Sequence, residues 1–111
     1  MARLPKPYED FRRKYPDIWR AYDQLGALIQ DTGPLSKKDR ELSKLALAIG
    51  AGMEGAVHSH TRRALEAGAD RAEIFHVVLL GITTIGFPST MAAITWINDE
   101  LKTGAAKKRR R

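Results

Sequence analysis

No cysteine occurs among the 111 residues. That absence excludes a disulfide framework, a thiolate nucleophile and any thiol–disulfide exchange carried out by the chain's own atoms. It leaves the redox compartment open, since both oxidising and reducing locations tolerate a cysteine-free chain. No apolar run approaches the length of a membrane span, and the first residues hold no apolar signal region. A soluble, cytoplasmic protein that does not engage membrane is therefore expected. Strand-type alternation and internal repeats are missing too.

Acidic residues are the scarcer charge, 13 against 19 Lys and Arg, for a net charge of +6. Five of those basic residues are Lys107, Lys108, Arg109, Arg110 and Arg111, so residues 1–106 are nearly neutral, with 14 basic against 13 acidic. The run follows Gly104-Ala-Ala106 and has no interleaved aromatic residues, so 105–111 is expected to be a disordered basic tail. Its charge suits weak, non-specific contact with polyanions and gives no sequence preference. Residues 1–104, 43% apolar over the whole chain, are expected to make a single domain whose small core gains from association.

What is present is helical punctuation, which predicts an all-α chain of about six helices. Pro7 to Lys14 forms a short amphipathic helix with Tyr8, Phe11 and Tyr15 toward the core. Pro16 opens a second, where a missing amide donor costs little; Ile18, Trp19, Tyr22, Leu25 and Ile29 give it an apolar stripe, and Thr32-Gly-Pro34 stops it. Ser36 with Asp39 caps a third helix, whose buried face is Leu42, Leu45, Ala46 and Ile49. After Gly50-Ala-Gly52 a fourth helix covers 53–67 and ends at Gly68. Asp70 and Glu73 cap a fifth, apolar on nearly every side from Ile74 to Ile85, which a second subunit is expected to help cover. Gly86-Phe-Pro88 breaks it, and a final helix runs from Ser89 through Leu101.

On the fourth helix Met53, Ala56 and His60 share one stripe, spaced by three, four and seven, and eleven residues separate Glu41 from Met53. This is the spacing of the alkylhydroperoxidase D redox motif with both cysteines replaced. The stretch HTRRALEAGADRAEI over 60–74 and the late Gly86-Phe-Pro88 extend the likeness. Over residues 36–101 the chain resembles the carboxymuconolactone decarboxylase superfamily, which includes that redox branch. The resemblance implies a helical subunit, a homo-oligomer that is often a trimer or hexamer, and a site near the histidine. No cofactor and no metal are expected from it.

Read alone, Glu41 is a solvated helix carboxylate paired with Lys37 or Lys44, and His60 a satisfied core histidine. The motif reverses this and sets a partly buried Glu41 beside His60, on two helices joined as an antiparallel hairpin. Such a carboxylate orients the imidazole and fixes its tautomer, which suits general acid and base work on a small organic acid or lactone. Met53 and Ala56 would wall an apolar pocket above the pair. Arg62, Arg63 or a basic residue at a subunit interface would hold a substrate carboxylate, although Arg62 and Arg63 read equally well as solvated helix residues; Arg63 is taken as the candidate. His58 points away from His60 and with Glu54 makes a surface pair or half a metal site. The decarboxylase-like lyase reading competes with a second, in which the chain keeps the oligomeric scaffold, or binds a small molecule, without chemistry.

Thiol-dependent peroxide turnover should therefore stay at the buffer blank, because no sulfenic acid can form. The double substitution Met53→Cys with Ala56→Cys should introduce thiols that oxidise readily beside His60. Peroxide turnover by the unaltered chain, lost with His60→Ala, would contradict this.

Overall fold

Ser36 starts the part of the chain that carries the site. Its hydroxyl accepts a hydrogen bond from the Asp39 amide at 3.1 Å, giving one of the four free donors of a helix start a partner. The helix stops where Gly52 turns left-handed at φ +66°, a conformation that glycine adopts without a Cβ penalty. The computed structural model describes residues 4–109, with side chains as far as Thr103. Among them every regular element is helical. Tertiary contacts divide the chain into two compact units, residues 1–34 and 35–111.

The first unit is a pair of helices, α1 (Lys6–Lys14) and α2 (Pro16–Gln30). Proline stands at the start of both, where its missing amide is harmless. Neither helix has a buried residue. Tyr8, Phe11 and Tyr15, expected to point into a core, are 56%, 41% and 45% exposed. Two short helices have too little facing surface to enclose them.

The second unit holds α3 (Lys37–Ala51), α4 (Glu54–Glu66), α5 (Arg71–Leu79), a 3-10 turn (Leu80–Thr83) and α6 (Phe87–Arg109). Leu45, Ala48 and Ile49 of α3, Val57 and Ala64 of α4, Ile74 and Val78 of α5, and Ala93, Ile97 and Leu101 of α6 form its core. Ala48 takes the buried place expected for Ala46, which is exposed. It sits one turn beyond Leu45 and so lies on the core stripe, from which Ala46 is rotated away.

α5 opens with a full capping box. The Glu73 amide donates to Asp70 Oδ1 at 2.8 Å, and the Asp70 amide donates to Glu73 Oε1 at 3.0 Å. Lys38 of α3 donates to the other Glu73 oxygen at 2.9 Å. That hydrogen bond holds the Glu73 carboxyl below its ordinary value and lifts the Lys38 ammonium above its own. The α-helix expected to reach Ile85 ends at Leu79 and tightens into the 3-10 turn, with Gly81 and two β-branched threonines lowering its helix propensity. Leu79, Leu80 and Ile82 are left 50%, 57% and 38% exposed. The last helix begins at Phe87 rather than Ser89, since Gly86 makes the turn at φ +99° and Pro88 is tolerated in a first turn.

At its far end α6 continues to Arg109, where a disordered tail was expected from 105. Ala105, Ala106 and the lysines are good helix formers, and a single glycine, Gly104, costs only about 1 kcal/mol within a helix. Arg110 and Arg111, the rest of that tail, lie outside the described residues.

Gly81 lets the 3-10 turn approach α6. A Cβ built there meets Thr90 Oγ1 at 2.8 Å, and Thr90 is fully buried, its hydroxyl donating to the Gly86 carbonyl. Gly81→Ala should therefore destabilise the fold by about 1–3 kcal/mol through overpacking, against the smaller gain alanine usually brings to a helix. Thermal melts should show the loss largely recovered in Gly81→Ala with Thr90→Ala. A single variant as stable as the parent chain would rule out so close an approach.

Candidate functional site

α3 and α4 run antiparallel because only Gly52 and Met53 separate them, and the left-handed Gly52 reverses the chain. The hairpin brings residues 19 apart in sequence into contact. Glu41 Oε1 lies 3.0 Å from His60 Nδ1. Glu41 is 6% exposed, among the few buried charged residues of the unit, and the His60 side chain is 19% exposed. Burying a carboxylate without a partner is expensive, so the imidazole is required there as a donor. Nδ1–H then donates to the carboxylate, and Nε2 is left as the nitrogen with a lone pair.

The side chains expected around this pair differ in exposure. Ala56 is half-buried and packs against the core. Met53 is the N-terminal flanking residue of α4, with no side-chain cap, and is 58% exposed. Arg63 is exposed on the same helix. A concavity of about 470 Å³ in this unit is an apolar groove on the flank of α3 whose walls include Leu42, Ala46, Ile49, Val77 and Leu80. Leu42, Ala46 and Ile49 are rotated around α3 from Glu41, so groove and dyad occupy different faces of one helix.

A second polar cluster lies on the opposite side of α4. His58 Nδ1 is 3.0 Å from Glu100 Oε1, and Arg62 donates to that same oxygen at 2.7 Å. Glu54 stands 3.5 Å from His58 Nε2, as the i, i+4 spacing allows. The Glu100 side chain is only 10% exposed. Sequence reasoning missed Glu100, yet a signal existed: it stands seven residues after Ala93 and three after Ile97, on the buried stripe of α6. A carboxylate at such a position needs a cationic or donating partner on the facing helix. Among the described residues, no group of three or more His, Asp and Glu side chains is arranged to hold a metal ion. Arg62, weighed as a substrate contact, is committed to Glu100.

Comparison with known proteins places this geometry in context. The carboxymuconolactone decarboxylase family model matches residues 16–99, starting 20 residues before the stretch whose motifs carry the likeness. An uncharacterized protein of Haemophilus influenzae is 33% identical over 63 residues, 57% of this chain and 56% of its own length. The chain thus spans little more than half of that curated relative. Among solved structures, the apo form of a carboxymuconolactone decarboxylase family protein from Legionella pneumophila superposes with a TM-score of 0.76 over 86% of both chains, at 24% identity. That likeness is one of fold.

The dyad should reveal itself in stability before any substrate is known. His60→Ala leaves the Glu41 carboxylate buried without its donor and should cost about 3 kcal/mol. Glu41→Gln keeps a hydrogen-bonding group in place and should cost about 1 kcal/mol. In urea unfolding the double variant should lose much less than the two singles together. Additive losses would show that the two side chains do not depend on one another.

Proposed function

The chain belongs to the carboxymuconolactone decarboxylase family, and from that premise we propose a thiol-independent enzyme whose general acid–base group is His60, oriented by Glu41, acting on a small organic acid or lactone. The 3.0 Å contact between a buried carboxylate and a partly exposed imidazole carries the reading. Glu41 favours the Nδ1–H tautomer and stabilises the imidazolium formed when Nε2 takes a proton from substrate or from water. The same imidazolium returns the proton to an enolate or a leaving oxygen. Arg63, exposed three residues on, has a guanidinium free to pair with a substrate carboxylate, and Met53 and Ala56 supply apolar contact at the near end of the helix. No residue of this chain contributes a thiol, so the proposed chemistry is proton transfer throughout.

The reading includes a cytoplasmic homo-oligomer, trimeric or hexameric. Its support is the apolar surface on α5 and the 3-10 turn, where Leu79 and Leu80 remain half exposed or more, an uncovered surface of the kind that marks an interface. Among the described residues no helix is long and apolar enough to cross a membrane. A second reading, a small-molecule-binding protein without turnover, is favoured by one separate observation: the 470 Å³ apolar groove lies away from the dyad and has the size of a ligand cleft.

The two readings part in a screen of small lactones and organic acids. Turnover of a hit should fall by about 10²–10⁴ in His60→Gln and by less in Glu41→Gln, with helix content unchanged by circular dichroism. A ligand that binds equally well to the parent and to His60→Gln, but no longer to Ala46→Trp, would overturn the enzyme reading in favour of the groove.

A further inference from the structure

The groove on the flank of α3 has a charged end. Asp39, Ser43, Ala46 and Gly50 follow one another at four, three and four residues, so they stack along one side of the helix, and all four line the concavity. Small residues give it depth there. A Cβ built on Gly50 would meet no atom within 4 Å, and Ala46 is exposed. Leu42 and Ile49 of α3, with Val77 of α5 and Leu80 of the 3-10 turn, supply apolar walls. The whole lining comes from residues 35–85, so the groove is a feature of the second unit alone.

Asp39 gives the groove its sign. Among the described residues its carboxylate accepts no hydrogen bond and joins no ion pair; only its backbone amide is engaged, donating to Ser36. The cations nearest in sequence are committed or turned away. Lys38 donates to Glu73 at 2.9 Å, Arg40 donates to the Leu35 carbonyl at 3.1 Å, and Lys37 lies about 200° around the helix from Asp39. The field at this end favours positive charge. The Lys38 ammonium registers it, held above its ordinary value first by its hydrogen bond to Glu73 and that carboxylate's charge, with the carboxylates of Asp39 and Asp70 adding to the effect.

Shape and charge together describe a ligand with a cationic head and an apolar tail. An ammonium carries three donors, and Asp39 with the Ser43 hydroxyl one turn on offers acceptors to match. From Asp39 to Ala46 the helix rises about 10 Å over seven residues, room for a short alkyl chain beside Leu42. A carboxylate head would instead meet like charge, and a neutral head would fill the walls while leaving Asp39 without a counter-ion.

We infer that the α3 groove binds an aliphatic primary amine, its ammonium at Asp39 and Ser43 and its hydrocarbon along Leu42, Ala46 and Ile49. The inference rests on the reading of this groove as a ligand cleft, whose ligand class it names, and it asks nothing of His60.

The probes are n-octylamine, n-octanol and octanoate, which share one hydrocarbon and differ in head-group charge at pH 7. Calorimetric titration of the full chain should show octylamine bound about fivefold more tightly than octanol, the worth of one partly solvated ion pair, and octanoate bound more weakly than either. Asp39→Asn should remove the advantage of the amine and leave octanol binding unchanged, while Ala46→Trp should abolish binding of all three. Both positions are exposed, so each variant should keep its helix content by circular dichroism. Octanol bound as tightly as octylamine by the parent chain, or an advantage that survives in Asp39→Asn, overturns the amine assignment and leaves the groove reading standing. Undiminished binding by Ala46→Trp, or no binding of any probe, overturns the assignment and the groove reading together. A fall in mass by light scattering on Ala46→Trp would make the groove a subunit contact, and the proposal fails.

Discussion

A carboxylate buried to 6% exposure inside an apolar helical hairpin must be held by a donor, and the geometry of the second unit follows from that requirement. Glu41 lies on the stripe that continues through Leu45 and Ala48, so α3 cannot bury its core face without taking the carboxylate along. His60 can reach it only if α4 folds back antiparallel at the register set by Gly52. A one-residue change in that turn would rotate α4 by about 100° and carry the imidazole away from Glu41. Backbone turn, apolar register and polar contact therefore specify the same arrangement, which is the mutual consistency expected of a uniquely folded sequence.

α4 carries this logic on two sides. His60 faces α3 and Glu41; His58, two residues earlier, faces α6 and Glu100, which also accepts from Arg62. Each flank of the helix is tied by an imidazole–carboxylate contact at 3.0 Å, with Val57, Thr61 and Ala64 buried between them. Thr61 donates its hydroxyl to the Val57 carbonyl, and among the described residues no buried side-chain nitrogen or oxygen lacks a partner. The outcome is a helix that cannot easily rotate about its axis. On the proposed reading this rigidity matters, because a general base works only when its lone pair is held toward the reacting proton.

Much of this was legible in sequence because it depends on local rules. Ser36 with Asp39, Asp70 with Glu73, and the glycines at 52, 68 and 86 all occupy the cap or turn positions their chemistry predicts. The Glu41–His60 contact was legible only through motif spacing; by composition alone Glu41 would have been assigned to solvent. Glu100 was hidden for the converse reason. It belongs to no motif, and its burial depends on where α6 packs, which periodicity within one helix does not fix. Ala46 and Ala48 show the same limit at finer grain, since alanines two apart differ in burial only through the choice of facing helix. The Tyr8, Phe11 and Tyr15 stripe was correctly amphipathic, but an apolar face in sequence does not say whether its cover comes from the same chain.

The replaced thiol positions bear on how the site operates. Met53 occupies the N-terminal end of α4, 58% exposed, and Ala56 sits one turn in, half-buried against the core. A thiol pair at these two places would stand at a helix N-terminus, where the dipole favours a thiolate. Methionine and alanine make no use of that field. The Glu41–His60 pair, by contrast, does not depend on it, being held by burial and one hydrogen bond deeper in the hairpin. Without thiols the redox step is closed to this helix while the Glu41–His60 contact is left physically intact, and on the proposed reading that contact orients a base that works without a nucleophilic sulfur.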